Sequence, residues 1–195
     1  MESSFPDRYT RRNSLRLSGF DYGARRLYFV TFVTADRRRV FLNTGLAEAT
    51  IQCLADLKER WHFAVYSYCL MPDHLHLVWM GLRLDSDQLN GMAFLRTHLE
   101  PKLAPQKFQH QAHDHVLKEE ERRRNAFVRV CNYILENPLR AELVKHPTEW
   151  TFNSAVVPGY PTLHPLQDGF WPKFWKLYGQ AKHPDAGKIR RPPIR

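Results

Sequence analysis

The sequence lacks any long apolar run, and this absence excludes a membrane-spanning helix. No stretch of about 18 apolar residues occurs in the chain, although a helix needs roughly that length to cross a bilayer. The N-terminal residues 1–8 contain no apolar segment either, so we expect no secretory signal. These absences predict a cytoplasmic protein that makes no contact with a membrane.

Cysteine is scarce, and the few cysteines present are poorly placed for cross-linking. Cys53, Cys69 and Cys131 are odd in number and widely spaced, so they form neither a disulfide framework nor a zinc-binding CxxC pair. Free thiols of this kind are typical of a reducing cytosol. The chain also has no internal repeat, and its length of 195 residues suits one domain with extensions.

Acidic residues are outnumbered by basic ones, and the net charge is +9. Such an excess favours polyanions, because binding releases their counterions. Arginine lies among aromatic residues such as Tyr9, Phe20 and Trp171, and this combination suits phosphate contact with base stacking. The residues that we expect to contact nucleic acid are Arg11, Arg12, Arg16, Arg37, Arg38 and Arg39. The alternative interpretation is a pair of solvated basic tails.

The hydrophobic patterns predict a mixed α and β domain. Residues 27–34 are β-branched and aromatic, which favours a buried central strand. Asn43 or Thr44 can cap a helix that ends near Trp61. Residues 86–103 favour a second helix. A third, amphipathic helix is predicted over residues 125–136, and Asn137-Pro138 bends or ends it.

The order of these elements predicts an α+β fold in two layers. An antiparallel sheet with its helices on one face is expected, and the ferredoxin-like arrangement is its simplest form. We expect a basic arm over residues 1–26 and the folded domain over residues 27–157. Residues 158–195 are rich in proline, aromatic and basic residues, and we expect a mostly irregular extension there.

Two histidines lie one residue apart in the apolar stretch around residues 68–79. Pro72 and Asp73 favour a tight turn, so Phe63–Met71 and His74–Met80 are predicted to form a hairpin. Side chains two residues apart in a strand share a face, and His74 and His76 would then project side by side. Two neutral imidazoles provide half of a divalent-metal site. The alternative is a half-buried strand that carries two polar residues.

Tyr133 and Asn137 are four residues apart on the last predicted helix and share a face. If that face lies over the histidine strand, Asn137 can add an amide oxygen to the two imidazoles. Such a mixed site suits Mg²⁺ or Mn²⁺, and the Tyr133 hydroxyl would lie beside the ion as a nucleophile. The alternative is a tyrosine that packs in the core and bonds locally.

These stretches resemble the REP-associated tyrosine transposases, a branch of the HUH single-tyrosine transposases. The histidine stretch from Tyr68 to Val78 is similar to the HUH motif, and Tyr133 to Val144 is similar to the tyrosine helix. Leu27 to Phe32, Arg39 to Phe41 and His113 to Leu117 also match. The resemblance covers roughly residues 12–155, in the order that the family has.

The resemblance implies a ferredoxin-like HUH nuclease domain that acts on single-stranded DNA hairpins formed by short palindromes. His74 and His76 would bind the metal, with Asn137 as the third ligand. Tyr133 would attack a phosphodiester and form a 5′-phosphotyrosine, and the basic arm would help to hold a guide sequence. His113 and His115 would lie next to this site, with no general base assigned. We expect a cytoplasmic, nucleoid-associated monomer or homodimer.

Two other functions are compatible with the sequence. A DNA-hairpin-binding protein derived from a transposase would keep the basic residues and use no catalysis. A zinc hydrolase of small molecules would need a third histidine or a carboxylate at the metal, and His113 is the residue that would supply it.

Overall fold

Five strands form one antiparallel sheet in the computed structural model, which describes residues 26–83, 85–117, 124–157 and 164–182. The strands are β1 (Leu27–Val33), β2 (Phe63–Met71), β3 (His74–Gly81), β4 (His113–Val116) and β5 (Asn153–Val156). The helices are α1 (Thr44–Trp61), α2 (Gln88–Leu103), α3 (Arg124–Leu135), α4 (Asn137–Arg140) and α5 (Phe170–Lys182).

The strand order is β4-β1-β3-β2-β5, and every neighbouring pair is antiparallel. The first four strands with α1 and α2 reproduce the ferredoxin-like connection, in which β3 lies between β1 and β2. β5 extends the sheet beyond β2. The α+β, ferredoxin-like fold predicted from the sequence is therefore confirmed.

Polar side chains begin the two helices of the ferredoxin-like unit. The side chain of Asn43 accepts a hydrogen bond from the Leu46 amide at 3.1 Å, as the sequence predicts for the start of α1. The side chain of Asp87 accepts from the Leu89 amide at 2.6 Å and begins α2 in the same way. Both helices place their apolar residues against one face of the sheet, where Leu54 and Leu95 are fully buried.

Helices also cover the opposite face of the sheet, which the sequence did not predict. The expectation that the helices share one face holds for α1 and α2, whereas α3 and α5 pack on the other face. Phe127 of α3 stacks on Phe174 of α5, with ring centroids 4.7 Å apart. Since both faces are covered, all nine residues of β2 are buried.

The C-terminal extension, expected to be mostly irregular, contains the helix α5. Its aromatic residues Phe170 and Phe174 are buried against the sheet, and Trp171 and Trp175 pack beside them. The aromatic residues that marked this segment therefore dock on the domain. Within the described part of the chain, no helix is long and apolar enough to cross a membrane.

Gly91 allows α2 to approach the sheet closely. A Cβ at Gly91 would lie 3.2 Å from Cη2 of Trp79 and 3.3 Å from Cε2 of Phe63. Both rings are buried, and Trp79 Nε1 also donates to Gln88 Oε1 at 2.9 Å. The tryptophan is therefore held in place and has little freedom to move away from an added methyl group.

We expect Gly91→Ala to lower the free energy of unfolding by about 1 kcal/mol, because overpacking a core costs about 1–3 kcal/mol and the gain in helix propensity is only about 1 kcal/mol. Gly179→Ala in α5 is the matched control, since no described atom lies within 4 Å of a Cβ there. The control should be neutral or stabilising in urea unfolding. Equal stabilisation by both substitutions would contradict the close approach at Gly91.

Candidate functional site

The predicted histidine hairpin is present, and His74 and His76 lie on the same face of β3. Strands β2 and β3 flank the two-residue turn Pro72-Asp73. The two imidazole rings are neighbours, with centroids 4.5 Å apart and planes inclined by 78°. Both side chains are partly buried at the end of β3 nearest the turn, on the face of the sheet that α3 covers further along.

A side chain engages the Nδ1 atom of each histidine. Nδ1 of His74 lies 2.5 Å from Oδ1 of Asp73, and an ionised carboxylate can only accept, so this nitrogen carries the proton. Nδ1 of His76 lies 2.8 Å from Oγ1 of Thr31, which is the residue opposite it on β1. With Nδ1 engaged in both rings, Nε2 is the nitrogen left to bind a ligand.

Both imidazoles favour the neutral form that a metal requires. Burial lowers the pKa of His74 below the ordinary value of 6.5, and the hydrogen bond and charge of Asp73 offset this only in part. Burial lowers the pKa of His76 well below 6.5. The neighbouring imidazole and the charges of Arg140 and Arg37 lower the pKa of His76 further.

The donor set fits a hard divalent cation that keeps water or phosphate ligands. Oriented, neutral histidines with engaged Nδ1 atoms are typical of metal ligands. Among the described residues, no group of three or more His, Cys, Asp or Glu side chains could hold an ion. Mg²⁺ and Mn²⁺ also accept amide, water and phosphate oxygens as ligands.

His113 and His115 lie on β4 and do not join the histidine pair. His113 faces Thr31, and His115 faces Phe29, across the β1–β4 pairing. Since β1 separates β4 from β3, these strands are about 10 Å apart at the usual strand spacing. His113 and His115 flank the site on the same face of the sheet, one strand away from the histidine pair.

The basic loop after β1 lies against the histidine turn. The amide of Thr34 donates to the Asp73 carbonyl at 2.9 Å, and that of Phe41 donates to the Pro72 carbonyl at 3.0 Å. Between these anchors, Arg37 adopts a left-handed φ of 50° and forms an ion pair with Asp73 at 3.2 Å.

The arginines predicted to bind nucleic acid divide into two groups. The structure places Arg37 beside His74 through Asp73, and Arg38 and Arg39 are exposed on the same loop. The predicted arm residues Arg11, Arg12 and Arg16 lie outside the described residues. The loop arginines therefore add positive charge at the edge of the histidine site.

Helix α3 packs on the face of the sheet that carries the histidines and presents Tyr133 at its surface. Phe127, Cys131 and Ile134 are fully buried beneath it, and the carbonyl of Cys131 accepts a hydrogen bond from the Ser67 hydroxyl at 3.3 Å. Tyr133 is 38% exposed. The core-packed tyrosine that the sequence left as an alternative is therefore not what the structure contains.

The amide of Asn137 holds the end of the tyrosine helix. Its Nδ2 lies 3.2 Å from the Tyr133 carbonyl and 3.1 Å from the Ile134 carbonyl. Carbonyl oxygens only accept, so the NH₂ group must face them and Oδ1 must point away. This orientation leaves the amide oxygen of Asn137 available as a ligand while its nitrogen caps α3.

Arg140 lies against the tyrosine ring, with its guanidinium carbon 3.9 Å from the centroid of the Tyr133 ring. Burial raises the pKa of Cys69 to about 12, and the charge of Arg140 opposes this shift. Cys69 is the residue opposite His76 on β2, and on its other side it pairs with Asn153 of β5. The side chain of Asn153 donates to the Leu135 carbonyl, so the tyrosine helix ends beside the strands that carry the histidine site.

Sequence patterns missed the residues that orient the site. Asp73 was recognised only as a turn residue, although its place directly before His74 signals a carboxylate–imidazole pair. Thr31 carried no signal, because its role depends on the pairing of β1 with β3. Arg140 was seen only within the family motif, with no role.

We expect Asp73→Asn to weaken Mn²⁺ binding about 10–100-fold, the usual effect of removing a group that orients a metal-binding histidine. Thr31→Val should act in the same direction through His76. Affinity is measured by calorimetric titration, and two-dimensional ¹⁵N spectra report which imidazole nitrogen carries the proton.

Asp36→Asn is the matched control, since Asp36 is exposed on the adjacent loop and the substitution changes the charge equally. It should leave both the affinity and the imidazole spectra unchanged. If Asp73→Asn and Asp36→Asn bind Mn²⁺ alike, Asp73 does not orient the ligand.

Known proteins are similar to this chain in sequence and in fold. The family described as Transposase IS200 like matches residues 25–81, which include both histidines and end before α3. A curated relative from Haemophilus influenzae, named as a REP-associated tyrosine transposase, is 24% identical over 143 residues. That alignment covers 66% of this chain and 78% of the relative.

A solved structure of a REP-associated tyrosine transposase bound to a REP hairpin has a similar fold. The TM-score is 0.60 at 19% sequence identity, and the match covers 73% of this chain and 82% of the other. The family match, the curated relative and the fold agree with one another. They confirm that this chain resembles the REP-associated tyrosine transposases.

Proposed function

We propose that this protein is a metal-dependent endonuclease and strand transferase that acts on single-stranded DNA hairpins during DNA transposition. The observation that carries the proposal is the oriented pair of neutral imidazoles on the sheet face that the tyrosine helix covers. Both Nδ1 atoms are engaged, and the exposed Tyr133 lies on the helix whose end is held by Asn153, the partner of Cys69 in the sheet.

The proposed substrate is a short palindrome that folds as a hairpin, similar to REP DNA. The similar solved protein is bound to a REP hairpin, and the curated relative is named for the same element. The net charge of +9 and the exposed arginines beside the histidines favour a polyanion. Action on such DNA would place the protein in the cytoplasm, at the chromosome.

In the proposed reaction, Oη of Tyr133 attacks the phosphorus of a phosphodiester. A new bond forms between Oη and phosphorus, and the bond between phosphorus and the 3′-oxygen breaks. The phenol loses its proton, and the 3′-oxygen gains one, so the products are a 5′-phosphotyrosine and a free 3′-hydroxyl. Attack of a 3′-hydroxyl on the phosphotyrosine reverses these bonds and joins a strand.

The remaining residues hold the reactants. Nε2 of His74 and His76, with Oδ1 of Asn137, would bind Mg²⁺ or Mn²⁺. The ion supplies polarisation of a phosphoryl oxygen when bound. The arginines of the loop and of the N-terminal arm would contact phosphates, and His113 and His115 would position the DNA on the flank of the site.

We expect Tyr133→Phe to form no covalent adduct with hairpin DNA, because the phenyl ring lacks the attacking oxygen. The protein is incubated with Mn²⁺ or Mg²⁺ and with single-stranded hairpins taken from palindromes near its coding region, and denaturing gels reveal the adduct. Tyr68→Phe is the matched control, since Tyr68 is buried in the core on the other face of the sheet. Adduct from Tyr133→Phe at the parent level would reject the assigned nucleophile.

We expect His74→Ala and His76→Ala to abolish strand scission but to retain most of the hairpin affinity, because phosphate contacts elsewhere supply binding. Arg12→Gln and Arg16→Gln should show the opposite pattern, with weaker binding and a smaller dependence of affinity on salt. Gel-shift titration across salt concentrations measures the hairpin affinity and its dependence on salt, and denaturing gels measure strand scission. Tight binding by the parent protein without cleavage of any cognate hairpin would instead favour a non-catalytic DNA-hairpin-binding protein.

A further inference from the structure

Arg140 makes three contacts that a surface ion pair would not combine. Its Nη1 donates to Oε2 of Glu136 at 3.3 Å, four residues earlier. Its Nη2 donates to the backbone carbonyl of Tyr133. Its guanidinium lies over the Tyr133 ring, with Cζ 3.9 Å from the centroid. An ion pair with Glu136 alone would not require the tyrosine.

A second Glu–Arg pair with the same spacing has its guanidinium farther from an aromatic ring. Arg96 pairs with Glu100 on α2 at 2.9 Å, and its guanidinium carbon lies 5.6 Å from the nearest ring centroid, that of Phe32. The guanidinium of Arg140 is closer to its ring and therefore limits the rotation of the Tyr133 side chain. An arginine that stacks on an aromatic ring through its guanidinium plane keeps the edge of that plane for hydrogen bonds.

Donor groups remain on that edge. An arginine carries five N–H groups, and the described contacts of Arg140 use one for Glu136 and one for the Tyr133 carbonyl. The side chain of Arg140 is 38% exposed, so its free edge can be reached by a ligand. Paired N–H groups of this kind match two oxygens of a phosphate.

The position of Arg140 agrees with a contact to the phosphate that Tyr133 would attack. Arg140 lies against the proposed nucleophile. The end of the helix that carries this tyrosine is held by Asn153, which pairs with Cys69 on β2, and Cys69 pairs with His76 on β3. A phosphorus atom attacked by Tyr133 while bound at the histidine pair must lie between these groups. Negative charge accumulates on the non-bridging oxygens as the new bond forms, and a preorganised cation there stabilises the transition state.

We propose that Arg140 donates hydrogen bonds to a non-bridging oxygen of the scissile phosphate while its guanidinium plane holds the Tyr133 ring in position for attack. This inference rests on the proposed function. Arg140 forms no covalent bond and keeps its protons throughout, so the balance of the strand-cleavage reaction is unchanged. The residue would act as a catalytic group toward the phosphate and as a clamp on the nucleophile.

The test measures the rate of adduct formation in single turnover with excess protein. We expect Arg140→Gln to lower this rate about 10²–10³-fold, as loss of one preorganised donor does, and to alter hairpin affinity little. Arg140→Lys should give an intermediate rate, because it keeps the charge without the planar edge. Arg60→Gln is the matched control, since Arg60 is exposed at the end of α1 on the other face of the sheet.

A substrate with a methylphosphonate at the scissile position separates phosphate contact from a structural role. This linkage lacks the charged oxygen, so the ratio of parent to Arg140→Gln rates should shrink for at least one stereoisomer. A purely structural effect would lower the rates of adduct formation on both substrates by the same factor. If Arg140→Gln does not fold, as judged by thermal unfolding, the same ratio is measured with Arg140→Lys.

The two proposals fail in different ways. Absence of an adduct from the parent protein on cognate hairpins overturns the proposed function and this inference with it. An adduct from the parent protein, with an unchanged rate for Arg140→Gln or an equal loss on both substrates, overturns the role of Arg140 alone. A loss confined to the charged phosphate supports it.

Discussion

The pairing of β1 with β3 determines what this site can be. In the observed register Thr31 faces His76, and Val33 faces His74. Because side chains alternate along a strand, a shift of one residue would turn both imidazoles to the opposite face, under α1 and α2. In that position they would be buried in the larger core, with no access to a ligand. The register is held by the apolar residues on both faces, since Phe32 and Val78 are fully buried on opposite sides.

The end of α3 is the second constraint, because it fixes where the phenol lies. The last four carbonyls of a helix lack partners within it, and here all of them accept hydrogen bonds. The Glu136 amide donates to the Asn132 carbonyl. The side chains of Arg140 and Asn137 donate to the Tyr133 carbonyl, and Asn137 also donates to that of Ile134. The side chain of Asn153 donates to the Leu135 carbonyl. Asn153 belongs to β5, so the sheet itself holds the end of the tyrosine helix.

Local patterns were enough to predict most of the fold. Pro72-Asp73 marked the hairpin turn, Asn43 marked the start of α1, and the order of the elements indicated the ferredoxin-like arrangement. The residues that bond to the histidines are harder to predict from the sequence, because Thr31 and His76 are 45 residues apart and meet only through strand pairing. The contact of Arg140 with Tyr133 spans the boundary between α3 and α4 at Glu136, which the sequence indicates only as a bend or an end at Asn137-Pro138. Helix α5 was missed because its proline and polar neighbours hide a buried aromatic face.

The positive charges of Arg37 and Arg140 near the histidines favour an anionic ligand. Arg37 and Arg140 both disfavour protonation of His76, so the imidazoles stay neutral and keep their lone pairs for an ion. Burial opposes ionisation of Asp73, but its hydrogen bonds with His74 and Arg37 and the charge of Arg37 outweigh that effect and lower its pKa. The carboxylate therefore stays ionised and keeps the proton of His74 on Nδ1. Under the proposed function, a phosphodiester entering this region would meet the same positive charges, and Coulomb interactions in a partly buried site are stronger than in water. The cations that keep the histidines neutral would thus also favour the proposed substrate.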